Sequence, residues 1–202
     1  MLAGVTMVAP ETVFLRRDTR FGQDVTIEPN VIFGSNVSLA KKCHIKSFCY
    51  LEDCTIGEGN VIGPFARIRP NTSTEKNVKI GNFVEVKKSN INRGTKISHL
   101  SYIGDTIIGE NANIGAGTIT CNFDGYKKYT TNIGSGAFIG SNTSLIAPLN
   151  IGENVIIGAG SVITEDTPSE SLSLSRTKQK TIVDGSKKIT KRQRKHQPPI
   201  KT

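Results

Sequence analysis

Three short stretches gather polar side chains that packing alone does not call for. The first is "FARIRP" (65–70), which carries Arg67 and Arg69 on a turn. The second is "NFVEVKKSNINRGTKISHLSYIGD" (82–105), with Glu85, Lys87, Lys88, His99 and Tyr102. The third is "NANIGAGTITCNFDGYKK" (111–128), with Asn113, Asn122, Lys127 and Lys128. Guanidinium and ammonium groups suit a phosphate. An imidazole titrates close enough to neutrality to take a proton from an attacking group. Together they describe a site that holds an anionic substrate and activates a nucleophile. Each residue also has a plainer reading as a solvated surface group. A metal centre is disfavoured, because His44, His99 and His196 are far apart in sequence.

The element that positions them is legible as a repeat. Aligned on an aliphatic position, the chain reads "FGQDVT IEPNVI FGSNVS LAKKCH IKSFCY" and continues through "IGENVI IGAGSV". A period of six is neither the 3.6 of a helix nor the simple alternation of a strand. It fits a short strand and a tight corner, with three faces closing a coil of about eighteen residues and coils stacking at strand spacing. The expected fold is all-β, a parallel β-helix of about eight triangular coils over residues 21–168. A lead-in (1–20) precedes it and an arm with a basic tail (169–202) follows. Two interruptions of the beat, at 72–77 and 120–131, are expected to be loops leaving the prism; the second is long enough to suggest function. By counting along the repeat, Lys87 and His99 should be close on adjacent coils, and the Arg, Lys, His, Tyr and Asn side chains should collect along one edge. A prism has flat walls, so sites between prisms, as in a trimer, are the natural expectation.

Composition narrows the class. The chain has 202 residues, no Trp and 20 Gly, so its core must be filled by small branched side chains. The net charge of +9 belongs to the end of the chain: residues 176–202 hold ten Lys and Arg against Asp184 alone, and the rest balance at 16 of each sign. No aromatic residue is interleaved with those tail charges, which gives nucleic-acid binding little support. No apolar run approaches a membrane span, and the start lacks a secretory signal. Four cysteines (Cys43, Cys49, Cys54, Cys121) without a CxxC pair fit a reducing cytoplasm. Cys43 and Cys49 occupy the small inward position of the repeat, so core packing is their expected role.

In order and spacing, "IGPFARIRP", "GNFVEVKKS", "SHLSYIGD", "NIGAGTITCNFDG" and "LSLSR" resemble the acetyltransferase half of the bacterial bifunctional N-acetylglucosamine-1-phosphate uridyltransferase/glucosamine-1-phosphate N-acetyltransferase. The resemblance runs from about residue 5 to about 180. It implies a left-handed β-helix, a homotrimer with sites between subunits, and acetyl-CoA-dependent N-acetylation of glucosamine 1-phosphate in cell-envelope amino-sugar synthesis. It implies that His99 is the general base for the 2-amino group, whose attack on the thioester gives a tetrahedral intermediate and then free CoA. Arg69, Lys87, Tyr102 and Asn113 match residues that hold the sugar phosphate, with Lys128 assisting. Ala116, Asn122, Phe123, Ser141, Ala159 and Arg176 match positions lining the acetyl-CoA groove, several acting through backbone groups. Glu85 would orient polar partners. Phe123 departs from the family, which usually has Tyr there. A Gly-rich "GxGTRM"-like nucleotide loop is nowhere in these residues, so formation of UDP-N-acetylglucosamine is not expected of them. A hexapeptide acyltransferase with another acceptor, and a non-catalytic β-helix, are the alternatives. The tail charges have no assigned role.

Overall fold

The computed structural model describes residues 4–187 and 189. Three parallel sheets form the walls of one prism. The first face has ten strands, from Val5–Met7 through Lys79–Asn82, Lys96–His99 and Asn113–Ile114 to Leu172–Ser173. The second has eight, from Ile32–Phe33 through Glu85–Lys87, Tyr102–Gly104 and Ile119–Cys121 to Val162–Ile163. The third also has eight, from Arg20–Phe21 through Thr72–Thr74 and Thr131–Ile133 to Leu149–Ile151. Each strand pairs with the strand one coil onward, as in Ile27↔Ile45 and Phe33↔Leu51. Every third strand is therefore a neighbour, and no face closes without the other two.

The repeat's aliphatic position makes the core. Ile27, Ile45, Ile62, Ile80 and Ile97 stack inside the first face, and Leu51, Ile68, Val86 and Ile103 inside the second; all are fully buried. Repetition thus removes apolar surface from water without large aromatic side chains. Cys43 and Cys49 are buried as the repeat implies, and burial pushes the Cys49 thiol up to about 11.

Corner geometry gives two positions of the hexapeptide separate duties. The fourth residue of the hexapeptide takes the left-handed conformation, as at Asn30, Asn36, Lys42 and Phe48, with φ between 55 and 62°. The glycine in second position is needed for close approach: a Cβ on Gly57 would lie 2.4 Å from the Glu75 carbonyl oxygen.

The interruption at 72–77 is not a loop. Thr72–Thr74 is a regular strand of the third face, with Cys54↔Thr72 and Thr74↔Ile91 in register. Thr74 takes an aliphatic residue's inward place, and its hydroxyl accepts hydrogen bonds from Gly57 N–H (3.1 Å) and Asn60 Nδ2 (2.5 Å). The beat was lost because the side chain became polar, not because the coil opened. The interruption at 120–131 does leave the prism. The chain departs after Cys121 on the second face and rejoins at Thr131 on the third. The basic segment 187–202 lies outside the described residues apart from Lys187 and Ile189.

Candidate active site

The second face carries the cationic cluster. Arg67 pairs in register with Glu85, and Glu85 with Tyr102. Arg69 Nη1 donates to Glu85 Oε1 at 2.7 Å, so the carboxylate fixes the guanidinium at the edge of the face. Lys87 pairs with Gly104. Beside it, the nearly buried Asp105 receives Lys88 Nζ at 3.1 Å, Lys87 Nζ at 4.0 Å and Asn122 Nδ2 at 2.5 Å.

Charge crowding shifts the proton affinities of these groups. Lys128, arriving from the excursion, is the largest influence holding the Lys87 ammonium below its ordinary range; burial adds to this and the Asp105 carboxylate opposes it. Burial would raise the Asp105 carboxyl, but hydrogen bonds from Lys88 and Asn122 and the charges of Lys88 and Lys87 together hold it below its ordinary value. Two ammonium groups this close are costly unless an anion joins them.

The excursion is a small hairpin, not a slack loop. Phe123 and Lys128 form an antiparallel bridge, and Tyr129 N–H donates to the Asn122 carbonyl at 2.8 Å. Asp124 Oδ1 accepts from the amides of Tyr126 and Lys127, each at 2.8 Å, and Lys127 Nζ stands 4.8 Å from the centre of the Tyr129 ring. Phe123 is exposed and its contribution to the hairpin comes through its backbone. Gly104 provides the notch in which the hairpin base meets the face. A Cβ there would lie 2.5 Å from the Tyr102 hydroxyl and 2.9 Å from Asn122 Nδ2.

A second set lines the corner between the first and second faces. Asn82 pairs with His99. Two residues beyond the stacked pairs Ile97↔Ile114, Ile114↔Ile139 and Ile139↔Ile157 stand His99, Ala116, Ser141 and Ala159, one above another. A backbone ladder follows the same corner: the carbonyls of Leu100, Ala116 and Ser141 accept from the amides of Gly117 (2.9 Å), Asn142 (2.7 Å) and Gly160 (2.8 Å). At its end Arg176 Nη1 donates to the Ala159 carbonyl at 2.6 Å. His99, Ser141, Ala159 and Arg176 are all exposed. The corner is therefore a narrow, small-residue track with an imidazole at one end and a guanidinium at the other.

The expectation of a single edge is corrected. His99 stands where the chain enters the second face, whereas Lys87, opposite Gly104, stands where it leaves. Asn113 lies on the first face, between Lys96 and Phe138 in register, and belongs to neither cluster. One protomer thus carries two half-sites at opposite sides of the second face. Asp105 and Gly104 were not singled out from sequence. Asp at the left-handed corner position also occurs at Asp24 and Asp53, so residue type gave no signal. Among the described residues no group of three or more His, Cys, Asp or Glu is arranged to hold a metal, and no helix is long and apolar enough to cross a membrane.

Residues 51–123 match the family described as the GMPPB C-terminal domain, and residues 130–165 match the bacterial transferase hexapeptide (six repeats). The chain is 52% identical over 179 residues to the bifunctional protein GlmU of Agrobacterium fabrum, covering 89% of this chain and 40% of that protein. It is 50% identical over 195 residues to the bifunctional protein GlmU of Zymomonas mobilis, covering 96% of this chain and 43% of that protein. The chain spans about two fifths of the length of these curated relatives. Among solved structures it resembles the UDP-N-acetylglucosamine O-acyltransferase (LpxA) of Moraxella catarrhalis RH4, with TM-score 0.56, 16% identity and coverage of 81% of this chain and 70% of that one. The LpxA of Bacteroides fragilis 9343 is similar at TM-score 0.55 and 19% identity, covering 80% and 69%. At such identities these structures share the fold alone, the left-handed parallel β-helix.

Proposed function

Because the chain is homologous to the C-terminal part of the bifunctional GlmU proteins, we propose that it is a glucosamine-1-phosphate N-acetyltransferase that uses acetyl-CoA as donor. The observation that carries this reading is the corner track, where His99, Ala116, Ser141, Ala159 and Arg176 stand in line beside the cationic face. The chain would work as a homotrimer, in which a neighbouring protomer brings one half-site to face the other. Asn113, remote from both clusters within a protomer, then joins the sugar from across that interface.

The chemistry divides between the two half-sites. Arg69, Lys87 and Lys128 hold the sugar phosphate, whose negative charge relieves the repulsion between the two ammonium groups. Tyr102 fixes the sugar's orientation. Exposed His99 takes a proton from the 2-amino group, freeing its lone pair to attack the thioester carbonyl. The new C–N bond forms first, giving a tetrahedral intermediate. Its collapse breaks the C–S bond, the sulfur leaves with the electron pair, and the proton that the nitrogen sheds balances the one the thiolate takes up to become CoA. Ala116, Ser141 and Ala159 have little side chain to obstruct the track, so the donor lies against backbone. Arg176 offers its charge to the donor's phosphates, and Asn122 and Phe123 border the groove from the hairpin.

Acceptor choice tests the phosphate assignment. With acetyl-CoA, CoA release should be fast with glucosamine 1-phosphate and slower by roughly 10²-fold or more in kcat/KM with unphosphorylated glucosamine, the scale of losing two or three charge-assisted hydrogen bonds. Equal rates with both acceptors would remove the phosphate role of Arg69, Lys87 and Lys128.

A further inference from the structure

We propose that Asp105 is a positioning residue that clips the base of the 122–129 hairpin and sets the two lysines, so that one buried carboxylate fixes both the donor groove and the phosphate site. Its side chain is 3% exposed, and the residue bonds to the coil before it and the coil after it. Asn122 Nδ2, at the point where the hairpin leaves, donates to Asp105 Oδ2 at 2.5 Å. Thr131 N–H, where the chain rejoins, donates to the Asp105 carbonyl at 3.2 Å. The Asp105 amide itself donates to the Lys87 carbonyl at 3.0 Å, and Lys88 Nζ reaches Oδ1 at 3.1 Å. Departure, return and the phosphate-facing lysine thus meet at one residue. The β-helix does not require a carboxylate here, since the same left-handed corner position in other coils is filled by Asn36, Asn71 and Lys88 as well as by Asp53.

This inference rests on the reading that Lys87 and Lys128 hold a sugar phosphate. Lys87 is faced by Lys128 from the hairpin, by Asp105 from the following coil and by Arg69 from the preceding one. Asp105 is the acidic member of that set and the one that favours the protonated ammonium.

Two variants separate the clip from the charge. Asp105→Ala removes both. Hydrogen exchange at the Tyr129 amide should accelerate roughly tenfold or more while first-face amides stay as they were. Asp105→Asn keeps an oxygen for Asn122 and loses the charge together with the acceptor that faces Lys88. Its hairpin exchange should stay near that of the unaltered chain, while KM for glucosamine 1-phosphate rises roughly tenfold. The pH above which that KM climbs should also move down, because Lys87 then loses its proton more readily. Native exchange in the Ala variant, or equal acceleration on every face, overturns the clip. An unchanged KM and pH profile in the Asn variant overturns the charge role. If the intact chain acetylates no amino sugar, the functional reading fails, and the exchange experiment still decides the clip.

Discussion

Asp105 and Lys87 illustrate how single residues here trade proton affinity against position. The Asp105 carboxyl gives up its proton more readily in the folded chain than at its ordinary value of 3.8. Ionised, it stabilises the fold above that pH, and the contribution is lost as pH falls through the lower folded value. Melting temperature measured from pH 7 down to pH 2 should therefore separate the intact chain from Asp105→Asn at neutral pH, and the gap should narrow in acid. Parallel curves would mean that the carboxylate's charge carries no stability. Lys87, Lys128, Arg69 and His99 were conspicuous in sequence as cations and an imidazole on a repeat, and the roles proposed for them came from the resemblance carried by the motifs around them. Asp105 was not, because its importance is a matter of which coils it touches.

At the scale of elements, glycine decides what may pass close to what. The notch at Gly104 is bounded by the ends of side chains, Tyr102 and Asn122, whereas a Cβ on Gly81 would sit 1.8 Å from the Ser98 carbonyl oxygen in the backbone of the next coil. Gly81→Ala should destabilise the fold by about 1–3 kcal/mol through forced backbone separation. Gly104→Ala should cost less stability and yet reduce turnover, by displacing Tyr102 and the hairpin base. Thermal melts paired with CoA-release rates check this, and the reverse ranking of stability losses would contradict it. The hexapeptide beat revealed nearly every strand for a plain reason: each aliphatic residue it marks is buried. It failed at Thr72–Thr74 because a buried threonine paired with Asn60 can replace an isoleucine. The hairpin's length was legible, but its Asp124 turn and the bridge between Phe123 and Lys128 were not.

At the scale of the whole molecule, the prism explains why chemistry must be borrowed from its surface. Three sheets share one narrow core, so the interior is filled by stacked Ile, Leu and Val and offers no room for a ligand. Coil count and face composition could be read from the period. The separation of His99 from Lys87 could not, because linear counting measures distance along the coil and ignores the width of a face. That separation favours an assembly in which neighbouring protomers bring the half-sites together. It also makes His99, exposed at the head of the track, the residue on which the account depends most.

CoA release from acetyl-CoA in the presence of glucosamine 1-phosphate, compared between the intact chain and His99→Ala, tests that claim most directly. The account predicts steady turnover by the intact chain and a rate lower by roughly 10²- to 10⁴-fold in the variant, the usual loss with a general base. An intact chain that is folded and assembled yet inert, or a variant that turns over as fast as the intact chain, would contradict it.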